Sequence, residues 1–190
     1  MLFNEILQPT SILDVIRREI RDNCSQFLNE TNATPVYRLL PTTYGPFKRV
    51  KVRFQKKKDA ISNVFENAFG TDGTLVGVRE RAVIVSAEQP AAFDNTIEPY
   101  YIFPVDGYQY MFSTRVKNST DDFEYVVNTL IHQFDINEGT ILASDLIKYS
   151  YKNTNLSEGL YSKSEIIFHN IPCFYAVQAS LIQQYKTIIS

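Results

Sequence analysis

Hydrophobic residues in three segments of the chain recur three or four positions apart, which places them on one face of an α-helix. The first segment follows an N-cap candidate, Thr10 or Ser11, and the second is followed by Gly70, a residue type that commonly ends helices. This spacing predicts helices over about residues 11–29, 59–69 and 121–134.

Seven further segments are short and rich in β-branched or aromatic residues, and several carry polar residues at alternate positions. Asp106-Gly107 lies between the fourth and fifth of these segments. Because this pair is a strong two-residue turn signal, the two segments are predicted to form a hairpin. The predicted strands cover residues 35–40, 47–54, 81–86, 100–105, 108–113, 165–168 and 174–177.

The order of these elements predicts an α+β fold. One helix comes first and strands dominate later, with connections too short for the helical crossovers that join parallel strands. No internal repeat and no long Gly-, Ser- or Pro-rich linker interrupts the 190 residues. The sequence therefore predicts a single domain over residues 1–190, a length that can bury a full hydrophobic core.

Composition argues against several classes of protein. A formal net charge of -2 at pH 7 does not fit a protein whose whole surface binds nucleic acid. Cys24 and Cys173 belong to no CxxC or Cys/His cluster, so we expect buried free thiols, a reducing compartment and no structural zinc. No apolar run approaches the roughly 18 residues that span a bilayer, and no basic region precedes the first apolar residues. We therefore expect no signal peptide and no membrane partner.

Common catalytic motifs are absent from the sequence. The 7 glycines form neither a dinucleotide-binding fingerprint nor a P-loop. His132 and His169 lie outside any metal-binding or catalytic motif, which favours ordinary surface or core histidines. If the protein binds a nucleotide, it uses another arrangement.

A basic segment, residues 48–58, holds seven Lys or Arg residues in eleven positions. Clustered cations can neutralise the phosphates of a nucleotide or a nucleic acid, and the candidates for this contact are Lys48, Arg49, Lys51 and Arg53. The alternative is a solvated edge strand, on which lysines prevent edge-to-edge aggregation.

Six aromatic residues fall between positions 100 and 112. They could form a platform on which bases stack, but aromatic residues alternating along strands more often make core and cross-strand contacts. We therefore expect these side chains to be buried.

Short motifs along nearly the whole chain, about residues 1–178, resemble in their order the ADP-ribosyltransferase-like proteins of tailed bacteriophages. Those proteins begin with a short helix and a Tyr-Arg-Gly strand, and continue through a basic segment, a helix ending in Phe-Gly and a Val-Phe-Ala-Thr/Ser strand. An Ile-Phe-Pro hairpin and a late Glu-Ile-Met-Ile strand followed by Tyr-Tyr-Ala-Val complete the pattern. The matching stretches here are Val36 to Arg38, Lys48 to Lys58, Phe65 to Gly70, Val83 to Ser86, Tyr101 to Val105, Tyr108 to Ser113, Glu165 to Phe168 and Cys173 to Val177.

This resemblance implies an ADP-ribosyltransferase-like split β-sandwich with an N-terminal helix, and an Arg-Ser-Glu site that cleaves NAD between nicotinamide and ribose. By position, Arg38 would anchor the dinucleotide, because a guanidinium forks onto phosphate or ribose oxygens. Ser86 would hydrogen-bond the ribose, and Phe93 would stack on the nicotinamide. Glu165 would be the catalytic carboxylate that stabilises the oxocarbenium character of the ribose.

Differences from the family pattern leave two functional hypotheses open. Leu39 stands where the family has glycine, and Ala87 where it has a second serine or threonine. Lys163 stands where transferases that modify arginine, asparagine or cysteine usually have a glutamate or glutamine. One hypothesis is a phage-encoded mono-ADP-ribosyltransferase that acts in the host cytoplasm on a host protein or nucleic acid. The other is a non-catalytic structural or accessory protein of the phage, carried in the virion beside other virion proteins.

Overall fold

The structure, a computed structural model, describes residues 11–52, 60–69, 81–92 and 95–181. These residues form helices and strands that alternate irregularly along the chain. The helices are α1 (Ile12–Asn23), α2 (Ser25–Thr31), α3 (Ala60–Phe69), α4 (Ser119–Gln133), α5 (Ile136–Ser150) and α6 (Leu156–Ser162). The strands are β1 (Tyr37–Pro41), β2 (Phe47–Lys51), β3 (Val83–Ser86), β4 (Ile97–Pro104), β5 (Gln109–Phe112), β6 (Glu165–His169) and β7 (Cys173–Gln178).

The described strands form one antiparallel sheet with the order β2-β7-β4-β1-β3-β6-β5. Together with the helices, this sheet confirms the predicted α+β class. The split sandwich that the resemblance implied stays a prediction. In the structure, hydrogen bonding between β1 and β3 joins the strands into one sheet. That junction is a single residue pair, Tyr37 with Ser86, whereas β1 pairs with β4 over five residues.

The predicted hairpin across Asp106-Gly107 is wrong. The chain does turn there, with Gly107 at φ 88°, but β4 pairs with β1 and β7 while β5 pairs with β6. The carboxylate of Asp106 accepts hydrogen bonds from the Ser25 hydroxyl at 2.7 Å and from the Gln26 backbone N–H at 2.8 Å. The turn is therefore anchored on the first residues of α2, and tertiary contacts override the local hairpin signal.

The helices differ from the prediction at two places. The helix predicted over residues 11–29 is interrupted at Cys24, which separates α1 from α2, and Ser11 is the residue that caps α1. The helix predicted over residues 121–134 is present as α4, but α5 and α6 were not predicted. The buried residues of α5 include Gly139, Ala143 and Ser144, and such small residues produce no hydrophobic stripe in the sequence.

Two hydrophobic clusters pack on this framework. The larger cluster joins α1 and α2 to the sheet, and its centre is Phe27, whose ring meets those of Phe103 and Phe168 edge-to-face at 5.9 Å. The smaller cluster joins α3, α4 and α5 to Met111 and Ile167 on the sheet. The predicted burial of the aromatic segment is confirmed for Tyr100, Tyr101, Phe103, Tyr108 and Phe112, and both cysteines are buried free thiols.

Gly139 sets how closely α5 approaches α4. A Cβ at this position would lie 2.5 Å from the carbonyl oxygen of Leu130 and 2.7 Å from the Cα of Ile131. We expect Gly139→Ala to lower the free energy of unfolding by about 1–3 kcal/mol, because overpacking against backbone outweighs the better helix propensity of alanine. Urea denaturation measures this change. Asn137→Ala on the same helix is the control, and an equal change in both variants would contradict the close approach.

Candidate functional site

The sheet topology brings three sequence-predicted site residues onto neighbouring strands. Arg38 lies on β1, Ser86 ends β3 and Glu165 begins β6, and these strands are adjacent in the order β1-β3-β6. Ser86 is the register partner of Glu165, and Tyr37, the residue before Arg38, is the register partner of Ser86. Register partners in antiparallel strands have Cα atoms about 4.5–5.5 Å apart. The backbone positions of the three residues are therefore close together. Register partners project from the same face of a sheet and successive residues alternate, so Ser86 and Glu165 share one face while the Arg38 side chain projects from the other.

Arg38 carries a half-buried positive charge. Its Nη1 donates to the carbonyl oxygen of Ile84 at 3.4 Å, and burial lowers the pKa of the guanidinium from its usual value. Arginine nonetheless stays protonated in proteins. Within the residues that the structure describes, Arg38 has no carboxylate in ion-pair distance. A guanidinium without an acidic partner is suited to bind an anionic group.

Glu165 is buried, with 6% of its surface exposed. Its Oε2 accepts hydrogen bonds from the backbone N–H of Ser119 at 3.0 Å and from the Ser119 hydroxyl at 3.1 Å. Its Oε1 accepts a hydrogen bond from the Tyr151 hydroxyl at 3.2 Å. Since Ser119 is the first residue of α4, the carboxylate also lies at the positive end of that helix. These contacts hold the Glu165 carboxylate in one orientation.

Ser86 lies next to an exposed ion pair. Its hydroxyl oxygen accepts a hydrogen bond from the backbone N–H of Glu88 at 3.0 Å. The Glu88 carboxylate pairs with Lys163 Nζ at 3.7 Å. Lys163, which departs from the family pattern, thus has an acidic partner beside the strand that carries Ser86.

Phe93, the residue expected to stack on nicotinamide, lies outside the described residues. So does Arg53 of the basic segment.

The described part of the basic segment forms β2, an edge strand that pairs with β7. Lys48 Nζ lies 4.7 Å from the centre of the Tyr44 ring. Arg49 Nε donates to Cys173 Sγ at 3.2 Å, and its guanidinium carbon lies 5.8 Å from the centre of the Tyr175 ring. These contacts fit the edge-strand interpretation, and phosphate contact by the segment stays a prediction.

The sequence analysis missed the two residues that hydrogen-bond Glu165. They are Ser119 and Tyr151. Asn118 caps α4 by accepting a hydrogen bond from Thr120 N–H at 3.0 Å, and the Asn-Ser-Thr-Asp-Asp run is a recognisable helix start. That signal locates Ser119 at a helix N-terminus. No sequence signal pairs Ser119 or Tyr151 with Glu165, because both contacts depend on how α4 and α5 pack on the sheet.

Comparison of the chain with protein-family models, curated proteins and solved structures finds no significant match in any of the three. The described residues contain no group of three His, Cys, Asp or Glu side chains that could hold a metal ion. In the same part of the chain, none of the helices is both long enough and apolar enough to cross a membrane.

The hydrogen bonds of Glu165 predict a structural cost for its neutral isostere. Glutamine at position 165 has no charge, so its hydrogen bonds with Ser119 and Tyr151 are no longer charge-assisted and its attraction to the N-terminus of α4 is lost. We expect Glu165→Gln to lower the free energy of unfolding by about 1–3 kcal/mol. Glu88→Gln is the matched control, and removing its exposed ion pair is expected to cost less than about 0.5 kcal/mol. Equal costs in urea denaturation would show that the contacts of Glu165 contribute nothing particular to stability.

Proposed function

We propose that this chain is a phage-encoded mono-ADP-ribosyltransferase that transfers ADP-ribose from NAD to a host protein or nucleic acid in the host cytoplasm. The observation that supports the proposal is the pairing of Ser86 with Glu165 on the adjacent strands β3 and β6, with Arg38 on the neighbouring strand β1. The resemblance in motif order assigns an arginine, a serine and a glutamate to these strands. The proposal includes the ADP-ribosyltransferase-like form of the α+β fold.

The residues have separate roles in this reaction. Arg38 binds the pyrophosphate of NAD, since it has no acidic partner in the described part of the chain. Ser86 hydrogen-bonds the nicotinamide-side ribose. The bond between nicotinamide and ribose C1′ breaks with its electron pair going to nicotinamide, and a nucleophile of the acceptor then bonds to C1′ and loses its proton. Glu165 stabilises the positive charge that develops on the ribose.

The hydrogen bonds from Ser119 and Tyr151 fix the Glu165 carboxylate before substrate binds. A preorganised anion needs no reorientation when positive charge develops, and this is the main source of electrostatic catalysis. Each of these hydrogen bonds also weakens the attraction between the carboxylate and the positive charge on the ribose. Because they hold the carboxylate in place, Tyr151 and Ser119 act as positioning residues in the proposed reaction.

One observation favours a second candidate function, a non-catalytic structural or accessory protein of the virion. The Glu165 carboxylate is buried and accepts three hydrogen bonds from within the protein. These contacts give Glu165 a purely structural role, because they join β6 to α4 and to the residue that follows α5. In this candidate, the partners are other virion proteins and the three strand residues have no substrate.

Transfer from labelled NAD into a host lysate tests the proposed enzyme. We expect the wild-type protein to label a protein or nucleic acid, and Arg38→Lys to reduce labelling at limiting NAD by about tenfold or more, because an ammonium cannot make the forked contact. Arg18→Lys, an exposed change on α1, is the matched control. Arg38→Lys is the informative variant because Glu165→Gln also changes stability.

Two results would contradict the proposal. Equal labelling by wild type and Arg38→Lys would remove Arg38 from the site. Absence of labelling in lysates of several hosts, with a folded protein, would favour the virion candidate.

The basic segment predicts a separate salt effect. If its phosphate contacts exist, binding to duplex DNA weakens with salt, and Lys48→Gln with Lys51→Gln reduces the slope of log K against log salt by about 0.9 per lost contact. Fluorescence anisotropy with a labelled duplex measures the slope. Arg18→Gln with Arg21→Gln removes two exposed charges from α1 as the control. A slope equal to that of wild type would show that Lys48 and Lys51 make no phosphate contacts and that the segment is a solvated edge strand.

A further inference from the structure

A cleft of about 590 Å³ lies beside β5, the edge strand next to β6. Its walls come from β5, the end of β6, the end of α3, and the last part of α5 with the residues that follow it. This volume is in the range of about 300–1,000 Å³ that is usual for small-molecule sites. Arg38, Ser86 and Glu165 do not line this cleft, although Tyr151, which donates a hydrogen bond to Glu165, does.

His169, the last residue of β6, lines the cleft and is 5% exposed. Neither of its ring nitrogens has a hydrogen-bond partner among the residues described. These nitrogens are not among the fully buried side-chain atoms without a partner, so they are accessible from the cleft. Burial lowers the pKa of His169 to about 4, so at pH 7 its neutral ring offers one donor and one acceptor. A molecule in the cleft would supply the missing partner.

The charges around the cleft select an anion. Lys148 and Lys152 line it, and among the described residues no aspartate or glutamate does. Lys152 Nζ is already paired with the Glu158 carboxylate at 2.7 Å. Lys148, on the last turn of α5, has no carboxylate within ion-pair distance in the part of the chain that is described. Among the described residues that line the cleft, Lys148 is therefore the cation available to a ligand.

Aromatic side chains supply the other walls, which include the rings of Phe69, Tyr108, Tyr110 and Tyr151. The Tyr108 hydroxyl donates to Glu30 at 2.6 Å and the Tyr151 hydroxyl donates to Glu165 at 3.2 Å. Since these hydroxyls are already engaged, the tyrosines offer mainly their rings, which favour contact with a planar ring.

We propose that this cleft binds a small aromatic anion, whose charged group pairs with Lys148 and hydrogen-bonds His169 while its ring packs on the aromatic walls. A nucleoside monophosphate and an aromatic carboxylate both have this chemistry. AMP and benzoate serve as probes of the two sources, and inorganic phosphate serves as a probe that lacks the ring.

Proton NMR of the histidine rings tests the proposal on the intact chain. The sequence has 2 histidines, and the exposed His132 provides an internal reference that His132→Gln assigns. We expect AMP or benzoate, up to about 10 mM, to shift the His169 signals along a saturable curve while His132 stays unchanged. Lys148→Gln should raise the dissociation constant about tenfold, since it removes a charge-assisted contact. Arg18→Gln, an exposed change on α1 away from the cleft, should leave the constant unchanged.

The pattern of responses decides the outcome. Saturation by AMP alone identifies a nucleotide-like ligand, saturation by benzoate alone identifies an aromatic carboxylate, and saturation by both supports the shared chemistry. Absence of a saturable His169 shift with either ring-bearing probe would overturn the proposal. Inorganic phosphate binding as tightly as AMP and benzoate, or equal weakening by Lys148→Gln and Arg18→Gln, would overturn it as well.

Discussion

The buried carboxylate of Glu165 joins the sheet to the helices that cover it. A carboxylate can be buried only when hydrogen bonds or opposite charges compensate for its lost hydration. Ser119 at the start of α4 and Tyr151 just after α5 provide that compensation. Their positions depend on each other, because Gly139 allows α5 to approach α4 closely. The orientation of Glu165 is thus a property of the whole helical layer.

The sequence could predict features that depend on local residues, but not features that depend on contacts between distant elements. The segments around Ser86 and Glu165 read as strands because their β-branched and aromatic residues are local signals, and the structure confirms both strands. The pairing of strands is not local: the Asp106-Gly107 turn predicted a hairpin, but contacts of Asp106 with α2 send β5 to a different neighbour. α5 was missed because its buried face includes small residues, which produce no hydrophobic stripe in the sequence. The expectation of an Arg-Ser-Glu site rests on motif order alone and stays a prediction, whereas the partners of Glu165 depend on the packing of α4 and α5.

Arg38 and Glu165 favour different conclusions about function. Arg38 is half-buried without an acidic partner among the described residues, which suits an anion-binding role. Glu165 already has its partners within the protein, which suits a structural role. The two observations are compatible if the hydrogen bonds of Glu165 preorganise its carboxylate for catalysis, as the proposed transferase requires. If NAD does not bind, the same contacts explain Glu165 without any substrate.

Thermal unfolding in the presence of NAD tests this account most directly, because a ligand that binds only the folded state raises its apparent stability. The account predicts that Tm of the wild-type protein rises with NAD concentration and that Arg38→Lys largely removes the rise. The increase should persist in Lys148→Gln, since Lys148 lines the cleft beside β5, which Arg38, Ser86 and Glu165 do not line. A Tm that does not change with NAD, or an equal rise in Arg38→Lys, would contradict the proposed site.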